Sequence, residues 1–203
     1  MSKQLNYTMV IDIETTGLPE KISFYKYYDY SQIEKYNSSR IVQIAWNLYN
    51  NNGKIIKSFD SIIKPNNFII PNHEYHKITN EIANETGNNI EDVLIKLNND
   101  LEGVNIIVGH NLMFVENIIL NEAYRNGLQT LIDEIKKKKK VCTGFGTENL
   151  LKIELAHGKY KMPSLEELYL WCFKKQIDNI HNSKYDVGHI AECYFYIKKN
   201  VKF

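Results

Sequence analysis

The chain has 203 residues, 43% hydrophobic and 24% charged, enough for one core of ordinary size. Its formal net charge of +1 excludes nucleic-acid binding driven by a global basic excess, so such binding must rest on a local patch. No stretch reaches the apolar length of a membrane span, and the N-terminus carries no signal-peptide h-region. Cys142, Cys172 and Cys193 fit neither a zinc spacing nor a disulfide framework, so a reducing intracellular compartment is expected, not secretion. Asn, Ile and Lys are abundant and there are 14 tyrosines, which reads as the coding background of an A+T-rich genome.

Residues 6–14, mixed apolar and β-branched, predict a strand. Within it Asp12 and Glu14, two apart, point to the same side. Paired carboxylates repel, and burying them is costly unless a cation neutralises them. Hard oxygen ligands at this spacing suit Mg²⁺ or Mn²⁺, not zinc. Thr15, Thr16 and Gly17 then offer hydroxyls and backbone N–H groups at a turn, where a substrate phosphate or strand end can approach. The segment 19–39, rich in Tyr, Lys, Ser and Asp, is a candidate insertion. Its tyrosines (Tyr25, Tyr27, Tyr28, Tyr30, Tyr36) either stack on unpaired bases or pack on the sheet edge. Residues 40–50 alternate with period two, Asn51-Asn52-Gly53 is a hairpin signal, and 54–63 return as a third strand ending at Lys64-Pro65. A loop containing Ile70-Pro71 and His76 to Thr79 leads to short helices near 80–86 and 90–102.

Val104 to Val108 predicts a short buried strand, Gly109 to Asn111 a turn, and 112–126 a helix stopping at Asn126-Gly127. A helix near 128–136 precedes a short strand at 139–142, and Lys136 to Lys140 either contact phosphates or form a solvated loop. Helices are expected near 145–155, 164–175 and 185–199, the second opened by a Ser164/Glu167 capping box. Three early strands followed by strand–helix alternation indicate a single α/β three-layer domain, 1–203, on a five-stranded mixed sheet.

Two further clusters carry chemistry: Gly109 to Val115, and His181 with Asp186 five residues on, the histidine in a loop and the acid at the start of the last helix. With Asp12 to Gly17 they make the chain resemble the DnaQ-like DEDD exonucleases, in the branch with a histidine in its third motif. The resemblance extends to Arg40 to Ala45, Ile70-Pro71, His76 to Thr79, and Leu165, Leu168 and Tyr169. It implies a ribonuclease-H-like fold and 3′→5′ exonuclease activity that releases nucleoside 5′-monophosphates from single-stranded or frayed 3′ ends. DNA is the expected substrate, with RNA or oligoribonucleotides as the alternative.

The resemblance also implies the roles. Asp12, Glu14 and Asp186 would hold a Mg²⁺ or Mn²⁺ ion, with a second ion shared by Asp12, and His181 would be the general base. Thr16 and the Gly17 amide would anchor the strand end beside Thr15, Leu18 and Phe114 would meet terminal bases, and His110 and Asn111 complete the binding set, His110 also reading as a structural hydrogen-bonding residue. The family's second motif ends in a metal-binding aspartate where this chain has Val115. Glu116 lies about 100° further round the helix and cannot simply replace it. Asn111 is a weaker, neutral ligand. Activity is therefore expected to be crippled, roughly 10³-fold, with the fold unharmed. The intact Asp12, Glu14, His181 and Asp186 favour a recent or deliberate change at 115. The rival is a catalytically silent module that clamps a 3′ end or docks on a DNA polymerase; a monomer is weakly favoured. Asp186, His189 and Glu192, three residues apart, read as a solvated or capping face, and His73, His76 and His157 carry no assignment.

Overall fold

The computed structural model describes residues 6–23, 26–71 and 74–201; Tyr25, His73 and the side chain of His157 lie outside the described set. In chain order the elements are β1 (Tyr7–Thr15), β2 (Lys21–Ser23), β3 (Lys26–Tyr27), β4 (Ile41–Tyr49), β5 (Ile55–Ile62), α1 (Asn80–Thr86), α2 (Ile90–Asp100), β6 (Val104–Gly109), α3 (Leu112–Arg125), α4 (Gln129–Lys137), β7 (Lys139–Cys142), α5 (Glu148–Leu151), α6 (Leu165–Phe173) and α7 (Ser183–Asn200). The main sheet has the order β5-β4-β1-β6-β7. β5 and β4 pair antiparallel through the hairpin at Gly53 (φ 73°), β4 also pairs antiparallel with β1, and β1, β6 and β7 run parallel. This is the mixed five-stranded α/β architecture expected from the sequence.

The alternation of β1 sorts its side chains between two cores. Met9, Ile11 and Ile13 join the layer beneath α2, α3 and α4, together with Trp46, Leu97, Ile118 and Ile132. Val10 joins the other layer, with Ala45, Val108 and the α7 residues Val187, Ile190 and Ala191. Asp12 and Glu14 share the face of Val10, so the pleat itself turns both acids toward α7. All nine residues of β4 are buried, because the strand is central and covered on both faces; its period-two pattern marks a strand but not an exposed side.

Several expectations need correction. The helix expected over 145–155 is a 3₁₀ turn and the single turn of α5, ended by Lys152 in the left-handed region (φ 52°). The chain is drawn off there into a small ladder, in which Leu155 N–H donates to the Lys159 carbonyl and Lys161 N–H to that of Ile153. Lys136 to Lys140 are not a solvated loop: they close α4 and open β7, and Lys137 and Lys138 pair with Glu134 while Lys140 pairs with Glu116. The described tyrosines of 19–39 face inward. Tyr36 is fully buried and donates to the Tyr28 carbonyl, Tyr27 is buried, and Tyr28 and Tyr30 lie against the core. They are thereby spent on holding this segment to α3, not on presenting rings to a strand. The capping box holds as expected, Ser164 Oγ accepting from Glu167 N–H and Glu167 accepting from Ser164 N–H.

Candidate active site

Asp12 and Glu14 from β1 meet Asp186 from the first turn of α7, with one carboxylate oxygen from each within 4.8 Å of the other two. The meeting is enforced locally. Asn182 caps α7 by accepting from Lys184 N–H, and its Oδ1 also accepts from Gln43 Nε2 at 3.1 Å. Gln43 is the register partner of Glu14 across β1 and β4, so it ties the start of α7 to the sheet beside the acids. Asp186 accepts from the backbone N–H groups of Asn182 (3.2 Å) and His181.

The electrostatics are those of a site built for a cation. Burial, with the charges of Glu14 and Asp186, holds Asp12 well above its ordinary value. Burial and Asp186 push Glu14 up to about 8, and burial pushes Asp186 up to about 7 despite its backbone hydrogen bonds. Such groups cannot all ionise near neutral pH without a counter-charge. Gln43 Oε1, Ser183 Oγ and Asp186 Oδ1 are in addition buried without a hydrogen-bond partner among the described residues. An all-oxygen, carboxylate-rich donor set with an orphaned Asp186 oxygen fits a hard divalent ion, Mg²⁺ or Mn²⁺.

His181 sits one residue before the Asn182 cap, exposed, in the left-handed region (φ 59°). Its ring meets the edge of Tyr75 at 5.9 Å between centroids. Tyr75, 68% exposed, had no sequence signal beyond its place just before Lys77-Ile78-Thr79. The neighbouring His76 is buried, its Nδ1 accepting from Ile78 N–H, so the loop holds the tyrosine outward. Leu18, 70% exposed, offers a second apolar contact beside the first motif.

Other expected binding residues are occupied internally. Thr16 is buried, its hydroxyl donating to the Ser38 carbonyl and accepting from Arg40 N–H. Thr15 Oγ1 donates to the Gly17 carbonyl, and a Cβ at Gly17 would lie 3.0 Å from the Ser38 oxygen, which is why glycine stands there. His110 spends both nitrogens inside the protein: Nε2 donates to the Pro163 carbonyl (2.9 Å) and Nδ1 meets Thr143 Oγ1 (3.0 Å). Burial lowers its pKa, so a neutral imidazole fastens β6 to α6 and has no nitrogen left for a strand end. Asn111 is the left-handed N-cap of α3 (φ 51°) and forms no cap hydrogen bond, while Phe114 leans on the core.

Val115 is 2% exposed and packs in the layer of Met9, Ile11 and Leu112. Glu116 is held by Lys140, so it does not join the cluster. His189 and Glu192 are not free solvated groups: His189 Nε2 donates to the Asp178 carbonyl and Glu192 accepts from Tyr169.

A mixed five-stranded sheet, with an acid cluster where β1 meets the last helix, is the frame of a DnaQ-like nucleic-acid exonuclease. The chain belongs to the RNase T exonuclease family, whose profile matches residues 9–194. Comparison with curated protein sequences finds no match. Among solved structures, E. coli exonuclease I in complex with a 5cy-dT13 oligonucleotide superposes with a TM-score of 0.72 at 16% identity, covering 98% of this chain and 42% of that one. The zinc-bound E. coli exonuclease I–ssDNA complex gives 0.71 at 15% identity, covering 97% and 41%. A moderately thermophilic exonuclease I from Methylocaldum szegediense gives 0.69 at 15%, covering 96% and 41%. The chain thus spans about two fifths of the length of these structures. No helix among the described residues is long and apolar enough to cross a membrane.

Proposed function

We propose that the chain is a metal-dependent 3′→5′ exonuclease acting on single-stranded or frayed 3′ ends, DNA in the first instance, with its rate lowered by Val115. The observation that carries this is the convergence of Asp12, Glu14 and Asp186 within 4.8 Å, with His181 fastened to Asp186 through its backbone. The single-stranded DNA bound by the solved relatives supports the choice of substrate.

In this mechanism Asp12, Glu14 and Asp186 would hold a Mg²⁺ or Mn²⁺ ion, which would supply Lewis-acid stabilisation of charge at the scissile phosphate. His181, exposed and tied to Asp186 through its backbone N–H, takes the proton from the attacking water. Leu18 and the ring of Tyr75 flank the terminal bases, and the Gly17 backbone lets the strand end approach. A deoxynucleoside 5′-monophosphate leaves at each step.

One observation favours a second reading, a 3′-end-binding module without turnover: Val115 lies in the apolar layer and brings no fourth carboxylate. The deciding experiment follows 5′-labelled single-stranded DNA and RNA with Mn²⁺, for the chain as it stands, for Val115→Asp and for Asp186→Asn. Shortening from the 3′ end, faster with Val115→Asp and lost with Asp186→Asn, is expected. Internal cuts, or labelled mononucleotide released at the outset, would sink the proposal. Tight 3′-end binding with no turnover in any form would leave the binding module in its place.

A further inference from the structure

The chain holds 25 basic residues, and only Arg40 and Arg125 are arginines. Both line one pocket of about 600 Å³, between the 19–39 segment, the loop after β5 and the end of α3. In so lysine-rich a sequence, that pairing points to a task a lysine cannot perform. A guanidinium presents donors in a fixed planar fork, whereas an ammonium is a point charge.

Part of that task is structural. Arg40 gives Nε (2.6 Å) and Nη2 (3.1 Å) to Glu122, and stacks over Phe68 at 4.6 Å. Arg125 gives Nε to Asn121, and Nη2 to the Ile33 carbonyl and to Asn37. These bonds leave the Nη1 group of each arginine without a partner among the described residues. Glu122 is the one carboxylate in contact and is buried beneath the pair, so two guanidiniums face one acid. Among the described residues no carboxylate lines the pocket, and Asn66, Asn67 and Asn126 add neutral amides. Burial, and after it the like charge of Arg40, lowers the pKa of Arg125, against the opposing charge of Glu122.

We propose that this pocket is a binding site for a phosphate group, held by the Nη1 groups of Arg40 and Arg125, whose planes the internal bonds fix, with the amides of Asn66 and Asn67 at its rim. The phosphate comes from a nucleic-acid backbone or from a free nucleotide. The site is separate from the carboxylate cluster but joined to the first motif, since Arg40 N–H donates to Thr16 Oγ1 and Arg40 O accepts from Thr16 N–H.

With two arginines, the full chain gives two arginine Nε–Hε signals in an ¹H–¹⁵N spectrum. In metal-free buffer, inorganic phosphate is expected to shift both saturably, while sodium chloride of equal ionic strength does not. Asn66→Asp/Asn67→Asp places two anions at the exposed rim, and aspartate tolerates the left-handed backbone at Asn67 (φ 59°). This variant should weaken phosphate at least about 10-fold, leaving amide signals elsewhere in place. Asp186→Asn should leave the phosphate response intact, so the site stands or falls apart from the nuclease proposal. Thymidine 5′-monophosphate and an oligothymidylate without terminal phosphates then separate the sources, whichever shifts the signals at lower concentration. No saturable shift, an equal response to chloride, a response lost in Asp186→Asn, or unaltered affinity in the double variant would each overturn the proposal.

Discussion

The carboxylate of Asp186 faces that of Asp12 across the β1–α7 interface, with one oxygen of each within 4.8 Å, and the charge of Asp186 raises the cost of ionising Asp12 beyond what burial imposes. For an acid whose folded pKa is raised, the folded state binds more protons than the unfolded one, so stability falls as pH rises between the two values. For Glu14, pushed from 4.5 to about 8, and Asp186, pushed from 3.8 to about 7, that window runs from about pH 4 to about pH 8. In EDTA the melting temperature should therefore fall from pH 5 to pH 8. Mn²⁺ should raise it by at least about 3 °C at pH 8 and much less at pH 5. A metal response equal at both pH values would count against these three acids as the ligands.

Val115→Asp places a carboxylate in a layer that holds Met9, Ile11 and Leu112. Without metal the buried charge should lower the melting temperature, and Mn²⁺ should recover part of the loss if the new group turns toward Asp12. Turnover with Mn²⁺ should rise by about 10³-fold, in line with several kcal/mol of transition-state stabilisation from a better-held second ion. Calorimetry and a gel-based exonuclease assay read the two effects separately.

How much of this was legible follows physical lines. Asp12 and Glu14 were readable because a strand fixes side-chain direction with period two, whatever packs on it. Asp186 was readable through its spacing from His181, and the Ser164 cap because its hydrogen bonds are local. Non-local partners were not readable. Nothing near Lys140 in sequence announces Glu116, nothing near Tyr36 announces its burial against α3, and the arginine pair is separated by about two fifths of the chain. Tyr75 was missed for the same reason, since its partner His181 comes from a different loop.

Tyr75 has its ring exposed beside His181, so its removal should act on binding before chemistry. In EDTA, Tyr75→Ala should weaken the affinity for a single-stranded oligonucleotide by about 10-fold, while Tyr75→Phe, which keeps the ring, should match the parent. Fluorescence anisotropy with a 3′-dye-free oligonucleotide measures this directly. Equal affinity of the alanine variant would remove Tyr75 from the binding surface.

The Arg40–Glu122 pair tests how the first motif is held. Its side chains are 12% and 2% exposed, and Glu122 lies close to the backbone N–H of Ile41, at the start of β4 opposite Thr15. Removing one partner of a buried pair strands the other charge, at a cost of about 3–5 kcal/mol. Glu122→Ala should therefore lower the melting temperature by roughly 10 °C, through an unpaired Arg40 beside Arg125. Glu122→Gln keeps an acceptor for the Arg40 fork and should lose less. If the two variants melt together, the pair contributes through packing alone and the charge of Glu122 is immaterial to holding Thr16 and Arg40 in register.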